Sequence, residues 1–398
     1  MLSKHAGEIA IAIRTLSASM TADNEKLAES FDDQHVSCAL EVLKVAGIFQ
    51  RSLKGFESMT KDRTTLLAQR MIAFAAQEKE LHEGGMSGGS KSFLLPDALS
   101  VVEIDSLVTK AALGSDLDDE SNAAALQRIE ALYPEASEAT SRLARSCHAF
   151  VFDVCSAVPR KHLANMSLME TWTKRESGGN SMDAYGTLPQ SYITLVGEHM
   201  LALVQALEPF ASDGESLRLA NEVMTGARAV ALQPWRDLVS AINAPDHAAE
   251  SLVSGKDLSE YIESQFEDVP EEEDDEDDEQ LNEAEKASAA FCNKWLDVVG
   301  LAVTGRLLER IMRISRLSAK GCEHLAADLS YLINVLAALG VSGHPHPLVH
   351  HVADIVVMES SALRDQISSR KDHRNVSVLV ALRLMEERIA TIRGVAYN

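Results

Sequence analysis

Apolar residues recur along this chain at intervals of three and four. Leu325, Leu329, Leu332, Leu336 and Leu339 are spaced four, three, four and three apart, which places them on one face of an α-helix. Val378, Leu382, Met385, Ile389 and Ile392 repeat the pattern. Two long amphipathic helices are therefore expected to bracket a short connection containing Gly343, Pro345 and Pro347. Asn334 falls inside the leucine-striped helix, where it either bonds across a helix interface or points to solvent.

Upstream the same spacing predicts helices near residues 5–20, 33–57 and 60–82. Pro96 and Asp97 open another, and Pro134 and Glu135 open a stretch with Leu143, Phe150, Val151 and Val154 that keeps helical spacing up to Pro159. A loop follows at Ser177–Ser181. Thr187-Leu-Pro-Gln190 has the form of a capping box, in which the threonine hydroxyl takes an orphan amide hydrogen and Gln190 reaches back to the Thr187 amide. The helix it starts places Ile193, Val196, Met200, Leu203 and Leu207 on one face and is expected to stop at Glu208 and Pro209. Further helices are expected over 214–232, 234–243 and 246–266. Nothing alternates with period two over the length of a strand, so the expected fold class is all-α. No internal repeat of fixed period is found.

Two stretches interrupt the helical text. Glu83–Ser92 is dense in glycine and serine and reads as a flexible connector. From Glu267 to Glu279 every residue is Asp or Glu except Val269 and Pro270. Repulsion among so many carboxylates, with no apolar stripe to bury, predicts a disordered or highly solvated linker. The expected organisation is an N-terminal helical region (1–95), a middle helical bundle (96–266), an acidic linker (267–283) and a C-terminal helical bundle (284–398).

Composition agrees with helices: 46% of the residues are hydrophobic and only 5% aromatic. The formal net charge of −23 repels nucleic acid phosphates and anionic headgroups alike. Nucleic acid is excluded as a partner, and membrane contact is expected through other proteins, without direct insertion. Cys38, Cys147, Cys155, Cys292 and Cys322 are odd in number, scattered and without a CxxC pair, which suits a reducing cytosol. Glu8 and Arg14 leave too short an apolar centre for a signal peptide. The uncharged run after Asp328 is broken by proline and glycine, so no transmembrane segment is expected.

Four constellations invite chemistry, and each has a plainer reading. Gly85–Ser92 approaches the phosphate-cradling Walker pattern but carries Ser90 where its second glycine belongs. Asp274–Asp278 matches the DDxxD text of helical magnesium-diphosphate enzymes, yet no apolar residue anchors it. His344, His346, His350 and His351 supply metal-binding imidazoles, but only Asp354 lies at ligand spacing, and His-Pro-His-Pro reads as an exposed turn. Cys147 and His148, near Asp153 and Cys155, are helix neighbours about a hundred degrees apart and do not face each other. No catalytic, cofactor-binding or metal-ligating residue is assigned, and no cofactor is expected.

A resemblance adds to this reading. Trp295-Leu296 with Gly300 and Gly305-Arg306, the run Leu317–Asp328 into Tyr331–Gly340, Arg388–Arg393 with Tyr397, and upstream Leu188–Met200 with Leu207–Phe210 occur in one order. Together they resemble the C-terminal region of the conserved oligomeric Golgi complex subunit 7 family. The resemblance covers residues 188–398, with residues 1–187 matching less clearly. It implies an elongated helical rod of stacked bundles, similar to helical-rod vesicle tethers, that begins partway along the family's length. It further implies a non-catalytic subunit of a Golgi vesicle-tethering complex, peripheral on the cytosolic face of the Golgi membrane and supporting retrograde intra-Golgi transport. The implied partners are other subunits of that complex, numbers 5, 6 and 8 above all, and fusion-machinery proteins. The competing readings are a different α-helical scaffold subunit and a helical metal-dependent enzyme using Asp274–Asp278.

Overall fold

A computed structural model describes residues 2–22, 33–83, 134–174, 187–213, 227–228, 230–242, 283–370 and 377–397. Their helices are α1 (Leu2–Ala22), α2 (Asp33–Glu83), α3 (Pro134–Cys155), α4 (Ala157–Ala164), α5 (Ser191–Ala211) and α6 (Gln233–Ile242), then α7 (Glu283–Met312), α8 (Ala319–Ala338), α9 (Pro347–Val357), α10 (Ser360–Arg370) and α11 (Ser377–Arg393). Two 3₁₀ turns, Met166–Leu168 and Glu170–Trp172, follow α4. No strand occurs among the described residues, and the fold is all-α. The Gly85–Ser92 and Asp274–Asp278 stretches, the Ser177–Ser181 loop and the helices expected after Pro96 and over 246–266 lie outside the described residues.

The chain divides into two compact units: Met1–Glu8 with Ile48–Leu143, and Ile9–Gly47 with Ala144–Asn398. In the first, Ala6, Leu53 and Leu143 are buried. The second holds α4 to α11 and most of the core. There α6 packs on α7, α8 on α9, α10 on α11, and α5 touches α4, α7 and α8. Helices from both sides of the acidic run thus share one core.

Several boundaries differ from the sequence expectation, each for a physical reason. The segments expected at 33–57 and 60–82 are one continuous helix, α2. No proline or glycine stands between them to break it. Helix α5 runs through Pro209 to Ala211. Continuing it buries Phe210 and Ala211, which offsets the hydrogen bond that proline cannot make. The presumed short connection after the leucine stripe contains two further helices, α9 and α10. Pro347 sits at the first turn of α9, where a missing N–H costs nothing.

The leucine stripe is buried as its spacing requires: Leu325, Leu329, Leu332 and Leu336 are all in the core. Asn334 is exposed. Ser318 caps α8, its Oγ accepting from the Gly321 amide at 3.0 Å and donating to the Lys174 carbonyl at 2.7 Å. The far end turns at Gly340, whose φ of 65° favours glycine. On α11, Met385, Ile389 and Ile392 are likewise buried.

Candidate functional site: buried polar latches

Several polar groups singled out in the sequence are buried, and they hold helices together. Asp328, in mid-α8, is fully buried. Its carboxylate accepts from the Gln190 backbone amide at 2.7 Å, the Gln190 side-chain amide at 2.8 Å and the Tyr192 hydroxyl at 2.8 Å. The capping box expected at Thr187 is therefore replaced. Residues 187–190 are not helical, and Gln190 becomes the N-cap of α5 with its side chain committed to α8. Burial pushes the Asp328 carboxyl up, against the opposing pull of its three hydrogen bonds. Burial, with the carboxylate beside it, likewise raises the Tyr192 phenol well above its ordinary value.

The four clustered histidines do not form an exposed turn. The His344 ring is buried and meets Asp297 on α7 at 3.0 Å. His346 is fully buried and caps α9, its Nδ1 accepting from the Leu348 amide at 3.1 Å. Burial, and secondarily the neighbouring His344, lower its pKa to about 4. His351 meets Glu386 on α11 at 3.1 Å. Only His350 is exposed. The cluster diverges toward different helices, and no group of three or more metal-ligating side chains occurs among the described residues.

Glu386 is itself a hub at the α9, α10 and α11 junction, accepting from Gln366 at 2.6 Å and Arg370 at 2.8 Å. Burial would raise its pKa; the bonds from His351 and Gln366 and the charge of Arg370 outweigh that and leave it lowered. On α7 the buried carboxylate of Glu309 is ringed by Arg306, Arg310 and Arg313. Such groups are costly to bury singly and tolerable when fully paired.

Cys147 and His148 serve packing. Burial pushes the thiols of Cys147 and Cys155 up to about 12, far from the thiolate that nucleophilic attack needs. The His148 ring stacks on Trp295 with centroids 5.6 Å apart. His199 meets the Cys155 carbonyl at 2.7 Å and ties α5 to α3.

Two close approaches escape pattern reading. A Cβ at Gly305 would lie 2.6 Å from the Trp235 ring, whose Nε1 donates to the Leu301 carbonyl at 2.9 Å. A Cβ at Gly321 would collide with the Trp172 backbone carbonyl. The glycines let tryptophan and backbone reach the helix axes. No helix among the described residues is long and apolar enough to cross a membrane. Apolar side chains left at the surface of the larger unit include Leu168 and Leu188, 80% and 76% exposed.

Helices joined by buried charges define the class of the protein as an all-α helical assembly. Residues 4–230 match the family described as Golgi complex component 7 (COG7), and the chain belongs to that family. It is 24% identical over 262 residues to the human conserved oligomeric Golgi complex subunit 7, a match covering 65% of this chain and 26% of that protein. The Arabidopsis thaliana subunit 7 is 24% identical over 215 residues, covering 54% of this chain and 18% of the relative. In Dictyostelium discoideum the subunit 7 match is 38% over 55 residues, or 14% of this chain and 6% of the relative. The chain thus spans about a quarter or less of the length of these relatives. No solved structure matches it. The family match includes residues 4–187, where the resemblance was least evident from the sequence.

Proposed function

We propose that the chain is a non-catalytic subunit of a Golgi vesicle-tethering complex, acting through protein–protein contacts in retrograde intra-Golgi transport. The observation that carries this reading is the family match over residues 4–230. The acidic surface and the use of buried charges to join helices support it, because both suit a protein that presents rigid helix faces to other chains. Its partners in this reading are other subunits of the complex, numbers 5, 6 and 8 first, and proteins of the fusion machinery. Its place is the cytosolic face of the Golgi membrane, held there peripherally.

Fractionation tests the location. The tagged full chain should sediment with Golgi membranes, leave them in alkaline carbonate, and be digested by protease added outside sealed vesicles. Retention after carbonate, or protection from the protease, contradicts the proposal.

A further inference from the structure

Within the larger unit, Phe152, Pro159 and Leu163 face Val230, Ala302 and Val303 across a cavity of about 180 Å³. An engineered apolar cavity of about 150 Å³ holds benzene. This space therefore suits one apolar group the size of a side chain. Its rim reaches solvent at Val230, which is 38% exposed.

The walls also carry two unanswered donors. Ser156 and Arg160 both line the cavity, and the Arg160 amide donates to the Ser156 carbonyl at 3.0 Å, so the pair stand one helical turn apart on one face. The Ser156 side chain is buried at 2% exposure, and its hydroxyl has no hydrogen-bond partner. The Arg160 guanidinium is fixed from its far edge, with Nη1 donating to Asp153 Oδ1 at 2.8 Å and Nη2 to the Asp153 carbonyl at 2.6 Å. Its Nε, also buried, has no acceptor. Unmade buried bonds are unfavourable, and a charged acceptor repairs them best.

Charge points the same way. Arg306, on the cavity wall, pairs with Asp237 and Glu309, and Glu309 is shared with Arg310 and Arg313. Two guanidiniums, Arg160 and Arg306, thus line the cavity of a chain whose net charge is −23.

We propose that this pocket receives an apolar side chain of a partner polypeptide together with a neighbouring carboxylate, which accepts from Ser156 Oγ and Arg160 Nε. The polypeptide source rests on the reading of the chain as an assembly subunit; the pocket chemistry does not.

The test is a methyl-NMR titration of the full chain, labelled at Leu and Val, with acetyl-phenylalanyl-aspartyl amide, its asparaginyl counterpart and free 3-phenylpropionate. The aspartyl peptide should give saturable shifts at Leu163, Val230 and Val303, and the asparaginyl peptide should bind at least tenfold more weakly. Ser156→Ala, which keeps the wall's shape, should weaken the aspartyl peptide about tenfold, and Ala302→Leu, which fills the space, should abolish the shifts. Equal binding of the two peptides, or no saturable shift in the wild-type chain, overturns the proposal. Tighter binding of 3-phenylpropionate than of the aspartyl peptide overturns its polypeptide source. Because no other subunit is present in the titration, failure here is distinct from failure of the complex assignment.

Discussion

Gln190 and Asp328 are bonded twice: the carboxylate accepts from the backbone amide at 2.7 Å and from the side-chain amide at 2.8 Å. One residue thereby fixes where α5 begins and which helix it lies against. With the Tyr192 hydroxyl, three donors depend on a single acceptor. Asp328→Ala should lower the unfolding free energy by about 3 kcal/mol, since it strands the buried Tyr192 hydroxyl and releases both half-buried Gln190 donors. Urea unfolding of the full chain measures this, and a loss below about 1 kcal/mol would contradict the latch.

The glycines give a second, opposite pair of outcomes. Gly321→Ala drives a methyl into the Trp172 carbonyl, and backbone yields less easily than a side chain. The expected cost is about 3 kcal/mol, at the upper end for overpacking. Gly55 is exposed in α2 with nothing within 4 Å of an added Cβ. There alanine should stabilise by up to about 1 kcal/mol through helix propensity alone. Thermal unfolding of both variants should move the midpoints in opposite directions.

His346 predicts an acid sensitivity. Its ordinary pKa of 6.5 falls to about 4 in the fold, so between those values the unfolded chain binds the extra proton. The stability that the neutral ring provides is complete above pH 6.5 and is lost as the pH falls toward 4. From pH 7 to pH 5 the loss from this group is about 2 kcal/mol. His346→Asn keeps a capping acceptor and cannot titrate in this range. Wild type should therefore lose more stability than the variant over that interval, measured by urea midpoint. Equal losses would remove the histidine from the account.

Leu332→Ala should cost roughly 2–5 kcal/mol by deleting buried methylenes and leaving a cavity. A silent substitution would mean that α8 does not bury this face.

How far the sequence could be read depends on how local the cause is. The stripe at Leu325, Leu329, Leu332 and Leu336 was legible because helix periodicity is a local signal. The family was legible from residues 188–398, whereas the family match spans residues 4–230 and overlaps that reading only at 188–230. The histidines were misread as an exposed turn because His344, buried, and His351, half-buried, pair with Asp297 and Glu386, which lie far along the chain. Gln190 fitted a capping box until Asp328, on another helix, claimed both its amides. Pro209 looked like a stop because its local cost is evident, whereas the burial of Phe210 that offsets it is tertiary. The pocket at Ser156 and Arg160 had no sequence signal beyond one-turn spacing.

The central claim is membership in a working Golgi tethering complex, and affinity purification of the tagged full chain from its own cells, with mass spectrometry, tests it most directly. The account predicts recovery of the other oligomeric Golgi complex subunits in near-equal amounts. Recovery of the intact chain without any of them would contradict it.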